Sequence, residues 1–320
     1  MTDMRYRRLG DSGLQVPVVG LGCNNFGTRT DRDASFAVID AALDAGVSFF
    51  DTADIYGKDG ASETIIGEAL KGRRDQVVLA SKFGMPTGDS PYQRGGSRHY
   101  VRRAVEASLT RLQTDYLDLY QLHEPDPHTP IDETLSVLDD LVREGKVRYI
   151  GSSNFAGWQV ADADWMARDR GHTRFVSAQN KYSLLDREVE ADLVPACEVY
   201  GVGVLPFFPL AQGLLTGKFS RGAPLPAGTR LANNPDRAAA QLTDERLTRV
   251  EQLEAYAAKR YITLLHVAIG GLAAQPMVSS VIAGATSPDQ VRANAEAGLW
   301  SPDEDDLAAL DEIVPSPRPA

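Results

Sequence analysis

This chain is short of cysteine, of surplus positive charge and of long apolar runs. Two cysteines, Cys23 and Cys197, in 320 residues give no disulfide framework and fit a reducing compartment. A formal net charge of −11 disfavours nucleic acid or an anionic membrane surface as the main partner. No stretch reaches the roughly 18 consecutive apolar residues that mark a membrane span, and the opening MTDMRYRRLG lacks the apolar core of a secretory signal. No cysteine–histidine cluster has metal-ligand spacing, and there is no Gly-x-Ser-x-Gly turn of a serine hydrolase. These absences predict a cytoplasmic protein acting on a small molecule, without metal, nucleic acid or membrane. Nothing in the sequence specifies an oligomeric state.

What is present is a core and a rhythm. Hydrophobic residues make up 43% of the chain, ample for a large interior, and the 24% charged fraction is ordinary. Short apolar runs at 18–21, 47–50, 77–82, 117–122, 147–151, 175–178, 203–207 and 278–283 read as strands. Helical patterns lie between them: Phe36, Ile39 and Leu43 before Gly46, residues 63–70, and a helix capped by Ser97 with Val101, Val105, Leu109 and Leu112. Further helices are predicted with Ile131, Leu135, Leu138 and Val142, from about 156, over 188–200, from Pro288, and in the tail after Pro302. Strict alternation predicts a closed (β/α)8 TIM barrel forming one domain over residues 1–320. Residues 5–16 precede the first barrel strand and are predicted to form a hairpin across its bottom. Two Gly- and Pro-rich insertions, 83–98 and 208–242, leave C-terminal strand ends, where a lid or cofactor clamp is expected.

Four polar residues sit at or just past such ends: Asp51, Tyr56, Lys82 and His123. Barrel active sites lie on that face. A phenol with an ordinary pKa of about 10 holds a proton at neutral pH that it can give to a developing alkoxide. Lys82 is expected to lower that pKa, Asp51 to hold the ammonium, and His123 to hydrogen-bond the carbonyl or relay a proton. A lysine ending an apolar strand is costly unless paired. No side chain donates hydride, so a nicotinamide cofactor is implied. Lys218, Arg221, Arg230 and Arg292 offer a basic patch for its phosphates despite the negative total.

These motifs resemble the aldo-keto reductase family, and the likeness runs from Leu9 to about Glu296. FFDTADIYG at 49–57 resembles the signature around its catalytic Asp and Tyr, SKFG at 81–84 its lysine motif, and LYQLH at 119–123 its histidine motif. The chain is most similar to the subgroup containing potassium-channel β subunits and many bacterial reductases. IGSSNF at 150–155 and QNKY at 179–182 then imply that Ser153, Asn154 and Gln179 hold the nicotinamide amide. PLAQGLLTGK at 209–218 resembles the pyrophosphate loop, implying Pro209, Leu210 and Lys218 as contacts, with Arg230 further on. IAGATSPDQ at 282–290 resembles the adenosine-phosphate segment, implying Gly284, Thr286, Gln290 and Asn294, and free amides at the helix start from Pro288 suit a phosphate.

The chain departs from the pattern in places. Phe207 and Phe208 stand where many relatives have Tyr-Ser or Trp-Ser; Phe207 still offers an aromatic face for the nicotinamide. Gly284 and Gln290 occupy positions where other branches grip the 2′-phosphate with Lys and Arg. The subgroup nonetheless implies NADP. Asn24, Asn25 and Glu124 hint at a polar mouth and an oxygenated substrate. The resemblance implies an NADPH-dependent reductase of aldehydes or ketones. The alternatives are an NAD(P)-dependent dehydrogenase of sugars or other alcohols, and a slow-turnover redox-sensing regulatory subunit.

Overall fold

In the computed structural model, which describes residues 4–229 and 231–317, eight parallel strands close into a ring. They are β3 (Val19–Gly22), β4 (Phe49–Asp51), β5 (Val78–Phe83), β6 (Leu117–Leu122), β7 (Val147–Ser153), β8 (Phe175–Lys181), β9 (Gly203–Phe207) and β10 (Val281–Gly284). The last strand pairs with both β9 and β3, which closes the barrel. Ahead of it lies the predicted hairpin, β1 (Tyr6–Arg8) antiparallel to β2 (Gln15–Pro17). Its turn sits against the barrel's lower rim. Gly10 adopts φ +54°, and a Cβ there would meet the Gly201 carbonyl at 2.5 Å, so no side chain fits.

Helices α1 (Arg32–Asp44), α2 (Ala61–Ala69), α3 (Arg98–Leu112), α4 (Ile131–Arg143), α5 (Gly157–Arg170) and α6 (Leu193–Tyr200) connect successive strands. Their starts are written in side chains that accept an otherwise unpaired backbone amide: Asp31 for α1, Ser97 for α3 and Asp192 for α6. Helices α7 (Pro235–Gln241), α8 (Asp244–Lys259) and α9 (Leu264–Ala273) lie between β9 and β10, followed by α10 (Pro288–Ala297) and α11 (Glu304–Ile313).

Period-two alternation sorts each strand's side chains between two cores. Phe50, Leu79, Tyr120, Ile150 and Val204 point outward into a cluster with the surrounding helices. Phe49, Ala80, Leu119, Leu205 and Ile282 point inward and pack with Leu9 and Val16 of the hairpin region. The barrel floor is therefore filled largely by apolar side chains, which leaves the upper end for chemistry.

Several boundaries differ from the sequence expectation. The stretch between β9 and β10 holds α8 and α9 as well as α7, whereas alternation alone predicts one connection. These helices form a satellite core with Leu214, Leu215, Phe219 and Leu231 of the long insertion. That insertion carries a 3-10 segment at Ala211–Thr216 as well as α7. The helix expected over 188–200 is split: a 3-10 turn at Glu188–Glu190 precedes α6. Val278 makes only an isolated bridge to Val204, so the last strand begins at Val281. Among the described residues, no helix is long and apolar enough to cross a membrane.

Candidate active site

Two residues above the apolar floor, the same inward-facing rows turn polar. Phe49 gives way to Asp51, Ala80 to Lys82 and Leu119 to Gln121, while on β9 Leu205 gives way to the aromatic Phe207. Strand register sets Lys82 beside Gln121, while Asp51 lies opposite Ala80 on the neighbouring strand. Lys82 is wholly buried, and its Nζ donates to Asp51 Oδ2 at 2.6 Å and to the Thr52 carbonyl at 2.9 Å. The other carboxylate oxygen, Asp51 Oδ1, accepts from Gln179 Nε2 at 2.8 Å and Gln121 Nε2 at 3.1 Å. A buried ion pair survives only with its remaining lone pairs and protons satisfied. The two glutamine amides supply that. Burial alone would drive the Lys82 pKa down, but Asp51 and Tyr56 outweigh it and the net shift is upward, so the ammonium is charged.

Tyr56 lies just past β4, its amide bonded to the Ala53 carbonyl and its own carbonyl to the Ser62 amide near the start of α2. Lys82 Nζ is 5.0 Å from the centre of its ring. The sequence predicts that this cation brings the phenol below its usual pKa. In the structure burial dominates and raises it, with Lys82 pulling back. The phenol is thus held protonated. His123 stands edge-on to Tyr56 at 5.6 Å between ring centres. Burial, then the Lys82 charge, depresses the imidazole to about 3, so it is neutral at physiological pH. Its Nδ1 is buried without a hydrogen-bond partner among the described residues.

A cavity of about 710 Å³ opens above these groups. Asp51, Tyr56 and His123 line it, while Lys82 lies beneath its wall. Ser153, Asn154, Gln179, Phe207, Pro209, Leu210, Lys218, Gly284, Thr286, Gln290 and Asn294 line it too, so the strand-end motifs converge on one space. Arg230 lies outside the described residues. Backbone strain gathers around this space: Asn154, Phe208, Ala211 and Gln212 are non-glycine residues at positive φ. Asn154 is held there by donating its side-chain amide to the His123 carbonyl at 2.9 Å.

Some expectations fail on contact with neighbours. Arg221 is drawn away from the cavity into ion pairs with Asp244 and Glu251, and Arg292 pairs with Asp289. The predicted basic patch therefore reduces, among described residues, to Lys218 and an unforeseen cation, Arg29. Arg29 donates to the Gly228 carbonyl at 2.7 Å, linking the loop after β3 to the long insertion across the cavity mouth. The amides near α10 are partly spent: Gln290 N donates to Ser287 Oγ and Thr286 N to Gln290 Oε1. Asn24 and Asn25 line the cavity, but Glu124 does not. Gln121 was missed as a site residue, although its place two positions after Leu119 on an inward row was the available signal. Among the described residues, no group of three or more His, Cys, Asp or Glu is arranged to hold a metal ion.

Residues 18–315 match the model of the Aldo/keto reductase family. The chain is 40% identical to an uncharacterized oxidoreductase, YrpG, of Bacillus subtilis (strain 168), over 98% of this chain and 97% of that protein. It is 35% identical to a probable voltage-gated potassium channel subunit beta of Oryza sativa subsp. japonica, covering 92% and 91%. Identity to the L-glyceraldehyde 3-phosphate reductase of Escherichia coli (strain K12) is 32%, over 92% of this chain and 87% of that one.

Proposed function

The chain belongs to the aldo/keto reductase family, and from that premise we propose that it is an NADPH-dependent oxidoreductase reducing an aldehyde or ketone to an alcohol, with Tyr56 as general acid. The observation that carries this reading is the sealed Lys82–Asp51 pair at 2.6 Å beneath the protonated phenol of Tyr56, at the floor of a cavity large enough for cofactor and substrate together.

The residues present fit a nicotinamide dinucleotide. Ser153, Asn154 and Gln179 offer amide and hydroxyl partners for the carboxamide, and Phe207 offers a flat apolar face for the ring. Pro209, Leu210 and Lys218 would follow the pyrophosphate, and Gly284, Thr286, Gln290 and Asn294 the adenosine end. Bound there, the cofactor would supply the hydride that no side chain can donate.

The protein's part is to bind, orient and protonate. The neutral imidazole of His123 orients the carbonyl oxygen by hydrogen bonding, without competing for the proton. As negative charge builds on that oxygen, Tyr56 transfers its phenolic proton to it. Lys82 stabilises the charge left on the phenol, and Asp51, anchored by Gln121 and Gln179, keeps Lys82 in place. The Escherichia coli relative, an L-glyceraldehyde 3-phosphate reductase, is named for the reduction of an aldehyde, which supports the same reaction class.

A preference for NADPH over NADH of about tenfold or more, ~1.4 kcal/mol, is expected. Lys218 and Arg29 support it, and Asp289, which also lines the cavity, is tied to Arg292. The test is a steady-state screen of aldehydes, ketones and polyols with both cofactors, alongside titration of each cofactor by tryptophan fluorescence. NADPH-dependent carbonyl reduction is the expected result. Tighter NADH binding with faster polyol oxidation would reverse cofactor and direction, and tight binding without turnover would favour a redox-sensing subunit.

A further inference from the structure

A second cavity, of about 400 Å³, lies on the far side of Ile55, which lines both spaces. Its size falls within the roughly 300–1,000 Å³ of small-molecule sites. Asp54 lines it and is only 5% exposed. Asp54 Oδ2 accepts from the Tyr100 hydroxyl at 2.9 Å and the Ile55 backbone amide favours the ionised carboxyl, but among the described residues Oδ1 is buried with no partner in full hydrogen-bond geometry. A buried carboxyl oxygen left unsatisfied is expensive, and its persistence calls for a partner that enters from the cavity.

The remaining lining narrows what that partner is. Arg111 is already spent: its Nε donates to the fully buried Glu63 at 2.7 Å, and the two charges cancel. At the rim, Arg103 and Asp59 are exposed and, among the described residues, their side chains engage no ion pair or hydrogen bond, which leaves one unspent cation and one unspent anion on the same cavity. Tyr92, 64% exposed, presents an aromatic ring at the same rim. Unspent donors and acceptors are thus balanced, with an apolar ring face beside them. An organic anion would meet Asp59, and an amine would meet Arg103. A hydroxyl suits every group here, because it donates to a carboxylate and accepts from a guanidinium. It also serves Asp54 in either protonation state, which matters because burial, ahead of all other causes, raises that carboxyl to about 7.

We propose that this cavity is a binding site for a neutral polyhydroxylated ligand of monosaccharide size, with one hydroxyl seated on Asp54 Oδ1 and others on Arg103 and Asp59 at the rim. The site is separate from the catalytic cavity and does not depend on the reaction assigned above.

Calorimetric titration of the full chain with glucose and sorbitol tests it, with gluconate and glucosamine as charged controls. The neutral ligands are expected to bind, and Arg103→Ala and Tyr92→Ala each to weaken them about tenfold, the effect of roughly 1.4 kcal/mol. Both residues are at the surface and outside the catalytic cavity, so folding and carbonyl turnover should be unchanged. Asp54→Asn, which can still pair with both Tyr100 and a hydroxyl, should bind as the wild type does, whereas Asp54→Ala, which can pair with neither, should weaken binding similarly. Absence of binding to the wild-type chain overturns the proposal. So does wild-type affinity in Arg103→Ala and Tyr92→Ala, which would place the sugar elsewhere, and tighter binding of gluconate or glucosamine would reassign the ligand's charge.

Discussion

Lys82 and Asp51 meet at 2.6 Å with side chains 0% and 4% exposed, which makes theirs the most deeply sealed ion pair to touch the candidate site. Neither charge has water to retreat to, so each depends on the other. Their strands are adjacent and parallel, and the pair is fixed by register rather than by a flexible loop. On the proposed mechanism, a cation held this rigidly would act on Tyr56 from below without reorganising when charge appears.

Removing the cation should therefore damage both fold and chemistry. Lys82→Met leaves Asp51 buried and unpaired, a change that typically costs about 3–5 kcal/mol. Denaturant unfolding should register it. The double variant Lys82→Met/Asp51→Asn should recover much of that stability but none of the carbonyl reduction, and the phenol, freed from the cation's pull, should ionise only at higher pH. Turnover restored along with stability would mean that Lys82 serves packing alone.

Tyr56→Phe keeps the ring beside His123 and Lys82 while removing the proton. Carbonyl reduction should fall by at least ~10²-fold, the scale of general acid catalysis, and cofactor binding should be nearly unchanged. Wild-type turnover in this variant would refute the assignment of Tyr56 as the acid.

Much of this was legible in the sequence, for a physical reason. Asp51, Lys82 and His123 interrupt apolar runs at their C-terminal ends, where a barrel collects its loops, so topology and chemistry are encoded in the same few positions. Cavity-lining residues such as Asn154 and Gln290 carry no such signal of their own and are reached only through motif likeness. Long-range partners were beyond linear reading altogether. Nothing local announces that Arg221 will pair with Glu251, that Arg29 will reach Gly228, or that Gln179 will anchor an aspartate 128 positions away. The sequence points to the opposite sign for the Tyr56 shift because a neighbouring cation is visible in sequence and the depth of burial is not.

His123 should stay neutral across the working range. With its pKa lowered from 6.5 to about 3, its ring should show no titration between about pH 5 and pH 8 in histidine-selective NMR of the free protein. Carbonyl reduction should correspondingly have no acid limb near pH 6.5 arising from this group. A His123 midpoint close to 6.5 would mean that the imidazole is solvated and can relay protons after all.

Asp54 gives a stability prediction with a definite sign. Burial raises its carboxyl from 3.8 to about 7, so over that interval the unfolded chain releases the proton first and the folded chain binds more. Stability contributed by this group is complete below about pH 4, declines as pH rises towards 7, and stays lost above it. Asp54→Asn cannot ionise, and its side-chain oxygen can still accept from Tyr100. Relative to wild type, the variant should therefore gain on the order of 2–3 kcal/mol of unfolding free energy between about pH 5 and pH 8. Denaturant melts of both proteins at those two pH values measure it. If the wild type and Asp54→Asn keep a constant difference in stability across that range, Asp54 titrates as an ordinary surface carboxylate, and its buried oxygen already has a partner in the folded protein.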